Sequence, residues 1–249
     1  MARDFTAASS QYLKHSVAIV SHPFTVSGWF YANDADNAYS LWSMGDEGGA
    51  NTYGLQLEGS AAGDKVNFWA YATQSDYKQA YTTSGFSAVT WHHACGVLDS
   101  SRNLAVYLDG GNKGTNTPTT GVPSSLDNTV IGALVYVNPS PAQCFDGYLA
   151  EVACWSAVLT DAEVAILAAG YSPLFVRPQS LVAYWPLIGR TSPEIDIVGG
   201  YNMTLTNAPT VAAQPRNIYP SNPQVGLTIP AASAASPYMT TSPGLWGPL

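Results

Sequence analysis

The chain has 249 residues, of which 10% are charged, 46% hydrophobic and 12% aromatic, with 22 Gly and 17 Pro. So few Lys and Glu exclude a helical bundle, and the abundant turn formers predict an all-β domain whose single core suits this length. A net charge of -8, with nine scattered Lys and Arg, excludes nucleic acid and anionic membrane as main partners, because both require clustered cations.

The N-terminal residues MARDFTAASSQYL hold no long apolar run, so neither a secretory leader nor a membrane span is expected. Residues 5–13 read as a first strand. In residues 22–32, HPFTVSGWFYA, Phe24, Val26, Gly28 and Phe30 alternate with Thr25, Ser27, Trp29 and Tyr31. Large residues on both sides predict a central strand covered on both faces. Residues 39–45 and 52–59 read as strands around the loop GDEGGAN. Residues 65–73 set an apolar face of Val66, Phe68, Ala70 and Ala72 against Asn67, Trp69, Tyr71 and Thr73. That second face suits a half-exposed sheet surface or an assembly contact, and after those a sugar-stacking surface.

Residues 90–99 and 103–111 read as a strand pair, and Asp109-Gly110-Gly111 marks a tight hairpin turn. Residues 128–137 return to a strand. In residues 145–155 a period of two puts Tyr148, Ala150, Val152 and Cys154 on one side and Leu149, Glu151, Ala153 and Trp155 on the other. Thr160 and Glu163 then form a capping box that opens a helix of about three turns. Val164, Leu167 and Ala168 form its apolar face, and Gly170 stops it.

The pattern F-x-G-x-(apolar)-x-E-V-x-x-(aromatic)-S-x-x-L-T-x-x-E from Phe145 resembles the closing segment of laminin G-like domains of the concanavalin A-like lectin superfamily. The segments at 5–13, 22–32, 90–99 and 103–111 are similar to that family's other strands, so the resemblance covers residues 1–172. It implies an all-β, two-sheet antiparallel jelly-roll sandwich with one short helix. Residues 181–189 and 198–211 resemble strands that usually open such domains; here they come last and are expected at the edges. The sandwich is then residues 1–211 and residues 212–249 form an extended Pro-rich arm. Without charge after Arg216, the arm carries apolar anchors at Ile218, Tyr219, Val225, Leu227, Ile229, Tyr238, Leu245 and Trp246, which suits a contact with protein subunits.

Candidates for chemistry are few. Glu194-Ile195-Asp196 superficially resembles the E-x-D-x-x-E strand of laminarinase-type glycosidases, but Gly199 stands where the third acid belongs. Asp46, Glu47 and Asn51, or Asp34, Asp36 and Asn37, offer loop oxygens for calcium without the spacing of a dedicated motif. His92 and His93 are adjacent on a strand and point apart. Cys95, Cys144 and Cys154 are odd in number and read as free thiols. The sequence therefore suggests no enzyme and no cofactor. Its first reading is a structural protein of a tailed-bacteriophage virion, made in the host cytoplasm without a signal peptide and placed on the particle surface as decoration. The alternative is a carbohydrate-binding module for host-surface glycans, with a glycosidase third.

Overall fold

A computed structural model describes residues 1–73, 76–117, 121–134, 141–189, 192–215 and 217–218. Among these, strands β1 (Ala2–Phe5), β2 (Tyr12–His15), β3 (Phe24–Ala32), β4 (Tyr39–Gly45), β5 (Thr52–Leu57), β6 (Lys65–Thr73), β7 (Asp76–Gly85) and β8 (Trp91–Leu98) come first. Strands β9 (Leu104–Leu108), β10 (Gly111–Asn116), β11 (Asn128–Ile131), β12 (Gly147–Trp155), β13 (Leu181–Trp185), β14 (Thr204–Thr206) and β15 (Thr210–Ala212) follow, with α1 (Asp161–Ala168) after β12. They build two antiparallel sheets. The first runs β10-β9-β8-β3-β12-β1-β15, with β13 also on β12, and the second runs β14-β2-β11-β4-β5-β6-β7.

The core between the sheets follows from alternation. Phe24 and Phe30 of β3 point inward, and the Phe24 ring meets Trp42, Tyr53 and Phe68 of the opposing sheet at centroid distances of 5.9, 5.1 and 6.0 Å. Burying such rings contributes roughly 2 kcal/mol each. A second cluster lies outside the first sheet, where α1 lays Val164 and Leu167 over Cys95, Tyr107 and Trp155. The capping box forms as expected, with Thr160 accepting the Glu163 amide and Glu163 the Thr160 amide. Gly170, at φ 93°, follows the helix, which has eight residues rather than three full turns. Asp109 and Gly110, both at positive φ, make the two-residue turn between β9 and β10. The late segments do become edge strands, β14 on β2 and β15 on β1, while β13 extends the pairing of β12.

Four expectations need correction. Residues 5–13 are not one strand: a 3-10 turn at Ala7–Ser9, closed by Ser10 in the left-handed region, sends β1 to one sheet and β2 to the other. The alternation of residues 145–155 breaks at Glu151, whose φ of 55° makes a bulge, so that Leu149, Val152 and Cys154 share the inner core while Ala153 and Trp155 face α1. The strand expected at 128–137 ends at Ile131, because Gly132 turns the chain at φ 85°. β3 is central, and of its outer face Thr25 and Ser27 are covered while Trp29 and Tyr31 are covered only in part. β7 was not anticipated at all.

Candidate functional site

The register of the second sheet places its outward residues in rows, since directly paired residues point to the same side. One row is Ser40, Gln56, Asn67, Tyr81; the next is Val130, Ser43, Gly54, Trp69, Gln79; a third is Asn128, Gly45, Thr52, Tyr71, Tyr77. This is the polar and aromatic side of β6 noted in the sequence. After Gly132, residues 133–134 and 142–143 lie against this face. Ser43 Oγ donates to the Ala133 carbonyl (3.0 Å), the Ser40 amide donates to the Gln143 carbonyl (2.8 Å), and Leu134 bridges Ala142. The floor and these residues border a cleft of about 290 Å³, lined by Ala50, Gln56, Trp69, Tyr71, Tyr77, Leu134 and Gln143.

Trp69 is held rigidly in this cleft. It sits opposite Gly54, where a side chain would collide with the indole, and its Nε1 donates to Gln56 Oε1. Tyr77, 41% exposed, meets Trp69 edge-on at 5.7 Å and Tyr71 at 5.9 Å. Behind the rings, Glu58 Oε1 accepts from Gln56 Nε2 (3.1 Å) and Asn67 Nδ2 (2.8 Å). Gln79 Oε1 accepts from Asn67 Nδ2 (3.3 Å) and the Tyr77 hydroxyl (2.5 Å).

Buried polar atoms are almost always paired, yet among the described residues Ser40 Oγ, Thr52 Oγ1, Asn67 Oδ1, Asn128 Oδ1 and Gln143 Oε1 have no partner in the protein. Four belong to the rows just described, and Gln143 lines the cleft. An aromatic floor beside the Gln143 amide and the Tyr71 and Tyr77 hydroxyls is suited to a ligand with both an apolar face and hydroxyls.

The other sequence candidates lie elsewhere. Glu194 is buried in an ion pair with Arg3 at 2.7 Å, and Asp196 accepts the amides of Tyr184, Val198, Gly199 and Tyr201. Both carboxyls hold the returning C-terminal segment in place and do not face each other across a groove. Glu47 pairs with Lys14 (2.6 Å), Asp46 accepts the Gly48 amide and Asn51 the Ser124 amide. Asp34 caps the Asp36 and Asn37 amides and accepts the Tyr39 hydroxyl. Among the described residues, no three His, Cys, Asp or Glu side chains gather as a metal site.

The two histidines do diverge. His93 is buried against Trp29, and burial lowers its pKa to about 4 despite Asp109 nearby. His92 bonds Asp109 Oδ2 at 2.7 Å. All three thiols are free, and burial raises the pKa of each. Of the arm, residues 212–215, 217 and 218 are described: Ala212 ends β15 on β1, Gln214 accepts from the amino terminus, Asn217 donates to Glu151, and Ile218 donates to Gly170 O and accepts the Ser172 amide, all within the chain. Tyr219, Val225, Leu227, Ile229, Tyr238, Leu245 and Trp246 lie outside the described residues.

The sequence reading missed the cleft because it needs β7, which supplies Tyr77, and the residues after Gly132 that lie against the sheet. The Y-K-Q-A-Y alternation of residues 77–81 was the available signal. Among the described residues, no helix is long and apolar enough to cross a membrane.

Comparison with curated proteins gives no match. Among solved structures, the chain is similar to a proposed carbohydrate binding protein from Bacteroides ovatus, with a TM-score of 0.58 and 18% identity over 84% of this chain and 61% of that one. It is also similar to the CBM40 of the Ruminococcus gnavus IT-sialidase (TM-score 0.53, 12% identity, 68% of this chain and 98% of that one), solved elsewhere bound to sialyllactose. A third is the heptameric SAP-like pentraxin of Limulus polyphemus (TM-score 0.52, 18% identity, 67% and 80%). At such identities the likeness is one of fold. The family profile described as concanavalin A-like lectin/glucanases superfamily matches residues 7–165, more than half of the sequence, and the chain belongs to that superfamily.

Proposed function

We propose that the protein is a non-catalytic carbohydrate-binding module whose glycan site is the cleft over Trp69, Tyr71 and Tyr77. The carrying observation is the indole of Trp69, fixed by Gln56 and Gly54, beside the exposed ring of Tyr77 and the unpartnered Gln143 Oε1 in the cleft lining. A pyranose ring presents an apolar C–H face to such rings and hydroxyls to such atoms. The similar folds include carbohydrate-binding proteins, which supports the reading. The virion role read from the arm depends mostly on residues that lie outside the described ones, and Ala212, Gln214, Asn217 and Ile218 bond to their own sandwich. The glycan reading therefore has the stronger support. The glycosidase reading loses its two acids to structural bonds.

A glycan array followed by calorimetry on the full chain tests the proposal. At least one glycan should bind, and Tyr77→Ala, which trims an exposed ring, should weaken it by about tenfold or more. Binding that is indifferent to both Tyr77→Ala and Gln143→Ala would place the site elsewhere.

A further inference from the structure

We infer, resting on the glycan-binding reading above, that this cleft accepts uncharged oligosaccharides and rejects those bearing sialic or uronic acids. None of its described lining residues is charged. The segments 74–75 and 135–140 next to it in sequence read Gln-Ser and Val-Tyr-Val-Asn-Pro-Ser, which add no cation. On the outward side of this sheet, Lys14 stands four strands from Trp69, roughly 19 Å away, and is bound to Glu47 at 2.6 Å. Lys65 comes four residues before Trp69 along β6, about 13 Å away, where its carbonyl accepts the Glu58 amide.

A carboxylate carried into this cleft would lose water and gain no cation, which is strongly unfavourable. The hydrogen-bonding inventory points the same way. The Glu58 carboxylate can only accept, so it fixes the NH₂ groups of Gln56 and Asn67 toward itself and their oxygens away. Gln56 Oε1 is taken by the Trp69 indole. The lining also keeps Gln143 Oε1, a buried acceptor without a partner in the protein, beside the Tyr71 hydroxyl and the Gln143 NH₂ group, which can donate to neutral and charged oxygens alike. A sugar hydroxyl can donate to Gln143 Oε1; an ionised carboxylate has no proton to give. Glu58 is thus a positioning residue that orients two amides and adds a negative field behind them.

The test titrates the full chain, by calorimetry and tryptophan fluorescence, with lactose, cellotetraose, xylotetraose, mannotriose and chitotriose, and in parallel with the two sialyllactoses, trigalacturonate and a hyaluronan tetrasaccharide. At least one neutral sugar should bind about tenfold more tightly than every acidic one. An acidic member that binds as tightly as the best neutral one overturns the selectivity while leaving glycan binding intact. Silence from both sets overturns the glycan reading, and this inference with it. Gln143→Arg places a cation in the lining and should shift the acidic-to-neutral ratio by about tenfold toward sialyllactose; an unchanged ratio would show that charge does not set the choice.

Discussion

Trp69 and Gly54 are cross-strand partners, and the indole lies so close over the glycine that a β-carbon there would overlap the ring at Cε2, Nε1 and Cζ2. The flat floor of the cleft therefore depends on an absent side chain. Gly54→Ala should tilt the indole, break its bond to Gln56 and destabilise the fold by about 1–3 kcal/mol. Urea unfolding reads the stability, and a shifted tryptophan emission with weakened glycan binding reads the displaced ring. Unchanged emission would mean that the sheet yields instead.

Glu151, at the bulge of β12, predicts a pH dependence of stability. Burial raises its pKa to about 7, although the Tyr184 hydroxyl, the amino terminus and Asn217 pull the other way. Between 4.5, its ordinary value, and about 7, the folded chain keeps a proton that the unfolded chain has lost. Stability therefore declines as pH rises through that window and levels off above it, by on the order of 3 kcal/mol at most. Glu151→Gln keeps an acceptor for Tyr184 and Asn217 and should flatten the decline. Urea midpoints at pH 5, 6, 7 and 8 for both proteins give the comparison; parallel curves would contradict it.

The Arg3–Glu194 pair is sealed from solvent, and the same guanidinium donates to the Pro209 carbonyl at 3.0 Å. Glu194→Ala leaves a buried cation uncompensated and should cost about 3–5 kcal/mol. Because Arg3 lies on β1 of the first sheet and the cleft on the second, glycan affinity in the folded fraction should stay within about twofold of the native protein. A large loss of affinity with intact stability would reverse these roles.

Thr160→Ala removes one half of the capping box while Arg177 still bonds Glu163 at 2.9 and 2.8 Å. The expected loss is about 1 kcal/mol, seen as a lower thermal midpoint without any change in glycan binding.

What the sequence disclosed was local. The Thr160–Glu163 box, the Asp109-Gly110 turn and the inward Phe24, Val26 and Phe30 are each written within a few residues, and all appear as read. What escaped depended on partners distant in the chain. The bulge at Glu151 reverses the alternation of β12 through a single backbone angle, which composition does not encode. Trp69 was visible as one ring on a strand face, but its meaning comes from Gly54, Tyr77 and Gln143, which only the tertiary fold brings beside it. Glu194 and Asp196 invited a superficial comparison with a glycosidase strand because a carboxylate's spacing is legible and its bond partners, Arg3 and four amides, are not.

The N-terminal pair β1 and β2 splits between the two sheets, and β15 and β14 close the same two edges from the other end of the chain. A polypeptide emerging from the ribosome thus carries its first two strands exposed along one border until Ala212 has been made. Completion of the sandwich is a late event that joins residues 2–15 to residues 204–212, with high contact order, and is expected to be slow. A nascent chain halted before Thr204 should be a substrate for chaperones and proteases, whereas one released after Ala212 should not.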